Sequence, residues 1–222
     1  MIKFENTEVM GWESAIRGMR NPMNSWEKSD SRWEPQFDTE TGPCHGFFVI
    51  GPNDLNLMAR LRNAGTDHRK FMRMITVYAD ITAPLYWWKE FDTYKVGTVD
   101  NSCSTMHKIA EKEFTIEDFS CEHLENSWLI HLKETIKLLN EARNAYNWCN
   151  TDAKKEWWWQ MIQLLPSSYN QRRTVMLNYE VLANIYKSRK NHKLDEWSVG
   201  FMEWIESLPY SELITGEEKN ND

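Results

Sequence analysis

The chain has 222 residues, 41% of them hydrophobic and 27% charged, the composition of a globular protein with room for a substantial core. Twenty-six lysines and arginines against 33 acids leave a net charge of −7. That balance argues against a non-specific binder of nucleic acid or of an anionic membrane, and no apolar run reaches the length of a membrane span.

The first residues, MIKFENTEVM, lack the charged-then-apolar order of a signal peptide. Cys44, Cys103, Cys121 and Cys149 show neither a CxxC pair nor zinc-ligand spacing, so reduced thiols in a cytoplasmic setting are expected. His68 beside Asp67, and His123 near Glu122 and Glu125, are isolated pairs without an HExxH pattern, so no metal site is expected. Twelve tryptophans are unusual, and several are consecutive: Trp87-Trp88 and Trp157-Trp158-Trp159. Neighbours in sequence do not share one helix face, so three in a row imply burial on more than one side, by a large core or by a subunit interface.

In chain order, Trp12 to Arg20 reads as a short helix stopped by Asn21-Pro22. Asn24 to Gly46 reads as an irregular excursion. Phe47 to Ile50 is a short β run closed by Gly51-Pro52. Asn53 or Asp54 then caps a helix with Leu55, Met58 and Leu61 facing inward, ending at Gly65. Met74 to Thr82 is the clearest strand, because Ile75, Val77, Ala79 and Ile81 alternate with more polar positions. Pro84 opens a helix carrying Trp87, Trp88 and Phe91.

Asp92 to His107 is polar and reads as a loop. A helix over Cys121 to Trp148 follows, with Leu129, Leu132, Ile136 and Leu139 at three/four spacing. Another starts at Thr151-Asp152 and runs through Leu165. A β-favouring run, Arg172 to Leu177, leads into a helix from Tyr179. Leu194 to Leu208 is a last helix, and 210–222 a polar tail expected to fray. With no repeat and no linker, a single domain over 1–222 is expected, its first 46 residues the least regular.

Two arginines stand out. In a strand, residues two apart share a face, so Arg172 points with Thr174, Met176 and Asn178. In the helix, Arg189 falls on the stripe made by Leu182, Ile185 and Tyr186. A guanidinium on a core-facing stripe needs an anion, and two such groups from a strand and its following helix suit a phosphate or an acceptor-rich ring. The spacing places both in one shared cleft. The alternative is that Arg189 complements the helix dipole in its last turn and Arg172 ends a strand in solvent.

The same stretch carries a resemblance. Leu165-Pro166, Arg172, Asn178, Asn184 and Arg189, in the spacing LP-x5-R-x5-N-x5-N-x4-R, resemble the C-terminal signature of the flavin-dependent thymidylate synthases. Asp80 to Phe91, an Ala-Pro followed by aromatics, is similar to that family's strand-to-helix transition just before its flavin motif. Ala15 to Arg20 is loosely similar to an early arginine-containing segment that lies near the family's active site. The resemblance spans Asn53 to Pro209.

It implies an α+β fold, a mixed sheet packed by several helices, assembled as a homotetramer with shared active sites. It implies reductive methylation of dUMP or a related pyrimidine nucleotide, with FAD as cofactor, methylenetetrahydrofolate as carbon source and NADPH as reductant. On this resemblance Arg172 and Arg189 bind the nucleotide, and Glu90 takes the place of a nucleotide-contacting glutamine. Asn178 and Asn184 match flavin contacts. The family's Arg-His-Arg falls on Thr93, Tyr94 and Lys95, so only Lys95 keeps a positive charge.

Further departures follow. Thr98, Asn101 and Thr105 stand for a serine, a glutamate and an arginine, Glu180 for an arginine, and Lys193 for a histidine. Each lost charge-assisted contact is worth about 1.5–3 kcal/mol, so losing several lowers flavin affinity by orders of magnitude. No catalytic residue is assigned. Two readings stay open: a divergent flavin-dependent synthase, or an inactive relative kept as a nucleotide-binding or protein-interaction module.

Overall fold

The computed structural model describes residues 2–38 and 42–216. A four-stranded sheet has the order β1-β4-β6-β5, with β1 Lys3–Met10, β4 Thr76–Pro84, β6 Asn170–Asn178 and β5 Val99–Ser102. Strands β2 (Arg32–Asp38) and β3 (Gly42–Val49) form a separate antiparallel hairpin with a bulge between Glu34 and Gln36. With helices on either side of these strands in sequence, the α+β class is borne out. No helix among the described residues is long and apolar enough to cross a membrane.

The chain resolves into two compact units. The first comprises Met1–Glu5, Asp80–Lys95 and Asp100–Val175. It holds α3 (Leu85–Phe91), α4 (Thr105–Lys108), α5 (Asn126–Trp148) and α6 (Ala153–Leu164). Leu132, Ile136, Leu139 and Ala142 form the buried stripe of α5 and pack with Met161 of α6 and with Phe114 and Phe119. Helix α5 begins at Asn126 rather than at Cys121, because Cys121 to Glu125 form a turn ahead of it.

Helix α3 has no side-chain cap. Its first free N–H groups, at Leu85 and Tyr86, instead donate to the carbonyls of Tyr169 and Ser167, 3.0 Å each. Trp87, Trp88 and Phe91 then form one buried aromatic cluster, with ring centres 4.8–5.3 Å apart. The other tryptophan run behaves differently. Trp157 and Trp159 are about 40% exposed, and Trp158 anchors by donating to the Met106 carbonyl at 2.9 Å. The first run is therefore core, while the second is only partly covered by its own unit.

The second unit comprises Asn6–Ala79, Val96–Val99 and Met176–Asp222. It holds the hairpin, α1 (Trp12–Arg20), α2 (Pro52–Asn63), α7 (Tyr179–Arg189), α8 (Met202–Ser207) and α9 (Glu212–Thr215). Gly11 precedes α1 at φ 95°, and a Cβ there would lie 2.1 Å from the Met74 carbonyl oxygen, so only glycine fits. Trp12 packs edge-on against Tyr179 and Tyr210. Burial pushes the Tyr179 hydroxyl far above its ordinary pKa, and it donates to the Pro209 carbonyl.

Four local expectations change. The excursion over 24–46 contains strand β2 and most of β3, although 39–41 lie outside the described residues. The loop over 92–107 contains the exposed edge strand β5 and the start of α4, neither of which has an apolar pattern to announce it. The start of the expected tail, from Tyr210 to Gly216, contains α9, with Leu213 and Ile214 buried and Arg62 donating to their carbonyls. Residues 217–222 lie outside the described residues. In α2 the buried positions are Asp54, Leu57 and Met58, and Leu55 and Leu61 are only partly covered.

That inward Asp54 is the polar hub of the unit. Arg20 reaches it from α1 with Nε 2.6 Å from Oδ1, while Ser29 and Ser31 donate to Oδ2 at 2.7 and 2.6 Å. Asp30, not Asn53 or Asp54, caps α2, taking the N–H groups of Asn53 and Asp54 at 2.9 and 3.1 Å. Burial alone raises the Asp54 pKa, but the Ser31 and Ser29 hydroxyls and the Arg20 guanidinium outweigh it and hold the carboxyl below its ordinary value.

Asp54→Ala strands a buried guanidinium and is expected to cost about 3–5 kcal/mol of stability by urea unfolding. The lowered pKa sets the sign of the pH dependence. Asp54's contribution is complete above the unfolded-state value of about 4 and is lost as pH falls through the folded one. The acid limb of a stability–pH profile is therefore shallower in Asp54→Asn.

Candidate functional site

Strand β6 presents two faces. Gln171, Val175 and Leu177 are buried, and Arg173 shares their face, whereas Arg172 and Thr174 are exposed. Arg172 donates to Asp80 at 2.8 Å and lies 3.4 Å from Glu5. Asp80 also accepts from the Thr174 hydroxyl. The hydrogen bond to Asp80 raises the Arg172 pKa above its ordinary value. One cation thus stands between two carboxylates.

Arg173, which the sequence pattern did not single out, is the inward arginine. Its guanidinium lies 4.2 Å from the centre of the Trp88 ring and bridges Asp92 at 2.7 Å and Asp100 at 2.9 Å. Its Nε donates to Gln171, whose amide in turn donates to the Cys103 carbonyl at 2.8 Å. These contacts tie β5 and the end of α3 to β6. The only hint in the sequence was the two-residue spacing from Gln171 and Val175.

Glu90 is half-buried near the end of α3, and its carbonyl accepts from the backbone and hydroxyl of Thr93. Thr93 and Tyr94 form the turn that closes α3, and Lys95 follows with its side chain exposed.

In the second unit the start of α7 collects the other expected residues. Asn178 is the N-cap: its Oδ1 accepts from the Val181 N–H at 3.0 Å and its Nδ2 donates to the Gly97 carbonyl at 3.4 Å. Gly97 sits at φ 79°, and a Cβ there would lie 2.9 Å from the Asn178 amide, so the loop closes tightly over that side chain. Glu180, two residues on, is buried in the first turn, where its charge suits the helix dipole. Its carboxylate accepts from Arg69 at 3.4 Å and from Arg73, both in a short 3₁₀ segment over Arg69–Met74.

Arg69 also donates to Asn184 Oδ1 at 2.9 Å. Glu180 and Asn184 are therefore joined through one arginine. At the other end of α7, Arg189 is half-buried with its guanidinium 5.0 Å from the centre of the Trp197 ring. Lys193 is exposed. Arg172 belongs to the first unit and Arg189 to the second. Among the described residues no group of three or more His, Cys, Asp or Glu side chains is placed to hold a metal ion.

The sequence matches no family model and no curated protein. Solved structures do match. One is thymidylate synthase X from Helicobacter pylori with FAD and dUMP, at TM-score 0.66 and 15% identity, covering 97% of this chain and 98% of that one. A second structure of the flavin-dependent enzyme from the same organism, also complexed with FAD and dUMP, gives TM-score 0.65 at 15% identity over the same shares.

The fold is that of thymidylate synthase X. At this identity the likeness establishes architecture, and the chemistry depends on this chain's own side chains.

Removing either side of the Glu180 network should have unequal effects. Glu180→Gln is expected to cost about 1–3 kcal/mol, since the arginines it releases can turn to water. Truncating Arg69 and Arg73 together should cost more, because it leaves the buried carboxylate without a cation. Urea unfolding of the two variants side by side checks the order.

Proposed function

We propose that this chain is a nucleotide-binding protein on the thymidylate synthase X fold that has given up flavin-dependent methyl transfer. The observation that carries this reading is the engagement of Asn178, Glu180 and Asn184 by the chain itself. A flavin using those amides would have to uncap α7, at about 1 kcal/mol, and break the Arg69–Asn184 bond. Glu180, buried and paired with Arg69 and Arg73, stands where an arginine would be expected and offers a pyrophosphate no donor of its own. On the α3 side, Thr93, Tyr94 and Lys95 offer one cation between them. These residues do not fit FAD.

Nucleotide binding draws support from the dUMP held by the structural neighbours and from the accessibility of Arg172. Exposed ion pairs hold weakly, so a phosphate can compete for that guanidinium despite Asp80 and Glu5. Arg172, with Glu90 in the same unit, is the proposed contact for a dUMP-like ligand. The competing reading, an active flavin-dependent synthase, is favoured by one observation: the near-complete overlap with chains solved with FAD.

The two readings separate on colour. FAD added to about millimolar concentration is expected to leave its visible spectrum unshifted. dUMP is expected to give calorimetric heat that weakens about tenfold in Arg172→Ala, the loss of one charged contact. Stoichiometric bound flavin would sink the proposal and restore the enzyme.

The same reading includes a homotetramer. Trp128, Trp148, Trp157 and Trp159 on α5 and α6 are 41–90% exposed, and aromatics of that size mark interfaces. Sedimentation at micromolar protein should show a tetramer, and Trp148→Ser with Trp157→Ser should shift it toward smaller species. A wild-type monomer overturns this part.

A further inference from the structure

A cavity of about 690 Å³ opens in the second unit, and no residue of β6 or α7 lines it. Its walls are the 25–30 segment and the exposed side of α2. Asn53, Asn56 and Arg60 line it from α2, and their spacing of three and four puts them on one helical face. Glu27 and Lys28 face them from the other wall, and buried Leu57 supplies an apolar floor.

This cavity is braced before any ligand arrives. Buried Arg20 donates to the carbonyls of Ser25 and Lys28, both at 3.1 Å, and pairs with Asp54. Asp54 takes the hydroxyls of Ser29 and Ser31, and Asp30 is spent on the first N–H groups of α2. Two of the nearby carboxylates are therefore already committed. Among the described residues, the Lys28 ammonium and the Arg60 guanidinium have no hydrogen-bond or ion-pair partner. Neither do the side-chain amides of Asn53 and Asn56 or the carboxylate of Glu27.

We propose that this cavity binds a sugar phosphate. Two unspent cations suit a phosphate dianion, with the Arg60 fork able to take two oxygens at once. Two amides and one carboxylate suit hydroxyl groups, which need both donors and acceptors. The volume lies within the range of ordinary small-molecule sites. The proposal does not depend on the nucleotide reading above, since it uses none of the same residues.

The test is calorimetric titration of the full chain with ribose 5-phosphate and glucose 6-phosphate, with ribose and inorganic phosphate as controls. At least one sugar phosphate should bind, and each control should bind about tenfold more weakly or worse. Lys28→Ala and Arg60→Ala should each weaken the sugar phosphate about tenfold or more, while Arg172→Ala leaves it unchanged. Asn56→Ala should weaken the sugar phosphate but not inorganic phosphate. All four side chains are exposed, so thermal melts should confirm intact folding. Absence of heat from both sugar phosphates at about 10 mM would overturn the proposal. So would unaltered affinity in Lys28→Ala and Arg60→Ala, or equal binding of inorganic phosphate.

Discussion

A carboxylate buried in the first turn of a helix must be matched by cations, and at Glu180 that requirement shapes the whole start of α7. The cations come from the 3₁₀ segment over Arg69–Met74, which is drawn against the helix by this pairing. Once there, Arg69 also takes the Asn184 amide, and Asn178 is already held by the Val181 N–H and the Gly97 carbonyl. The side chains of Asn178, Glu180 and Asn184 are thus all engaged by the chain itself, two of them through Arg69. The fold is shared with flavin-holding proteins, but here the side chains satisfy one another.

The same logic governs both units. Polar side chains at critical places are closed into local networks rather than left facing an open site. Arg173 is stacked on Trp88 and bridged to Asp92 and Asp100, and Arg20 is closed onto Asp54 and two carbonyls. The exceptions are therefore informative. Lys28 and Arg60 face one cavity with their charges uncommitted, and the tryptophans of α5 and α6 remain partly in water.

Where apolar periodicity was strong, the sequence was a reliable guide. The alternation of Val77, Ala79 and Ile81 became the buried face of β4, with Ile75 buried just ahead of it, and Leu132, Ile136 and Leu139 became the buried stripe of α5. Helix α1 ended where Asn21-Pro22 stops it, and α7 began at Tyr179 as expected. Strands β1 and β5 were missed because their residues are largely exposed, so no alternation marks them. They are strands by virtue of the backbone ladder, which any sequence without proline can join.

The α+β class and the buried stripes of β4 and α5 were set by the sequence itself, because burial with a fixed period is written into near neighbours along the chain. Which arginine of β6 turns inward was not. Arg172 and Arg173 differ only in face, and the presence of Trp88, Asp92 and Asp100 on one side decided it. The fate of Glu180 was likewise decided by the tertiary structure. Its partners lie 111 and 107 residues earlier in the chain, a separation at which charge pairing leaves no periodic trace. Burial can be read from local pattern, but the choice of ionic partner requires the folded neighbours, because a charge pairs with whatever the packing brings within reach.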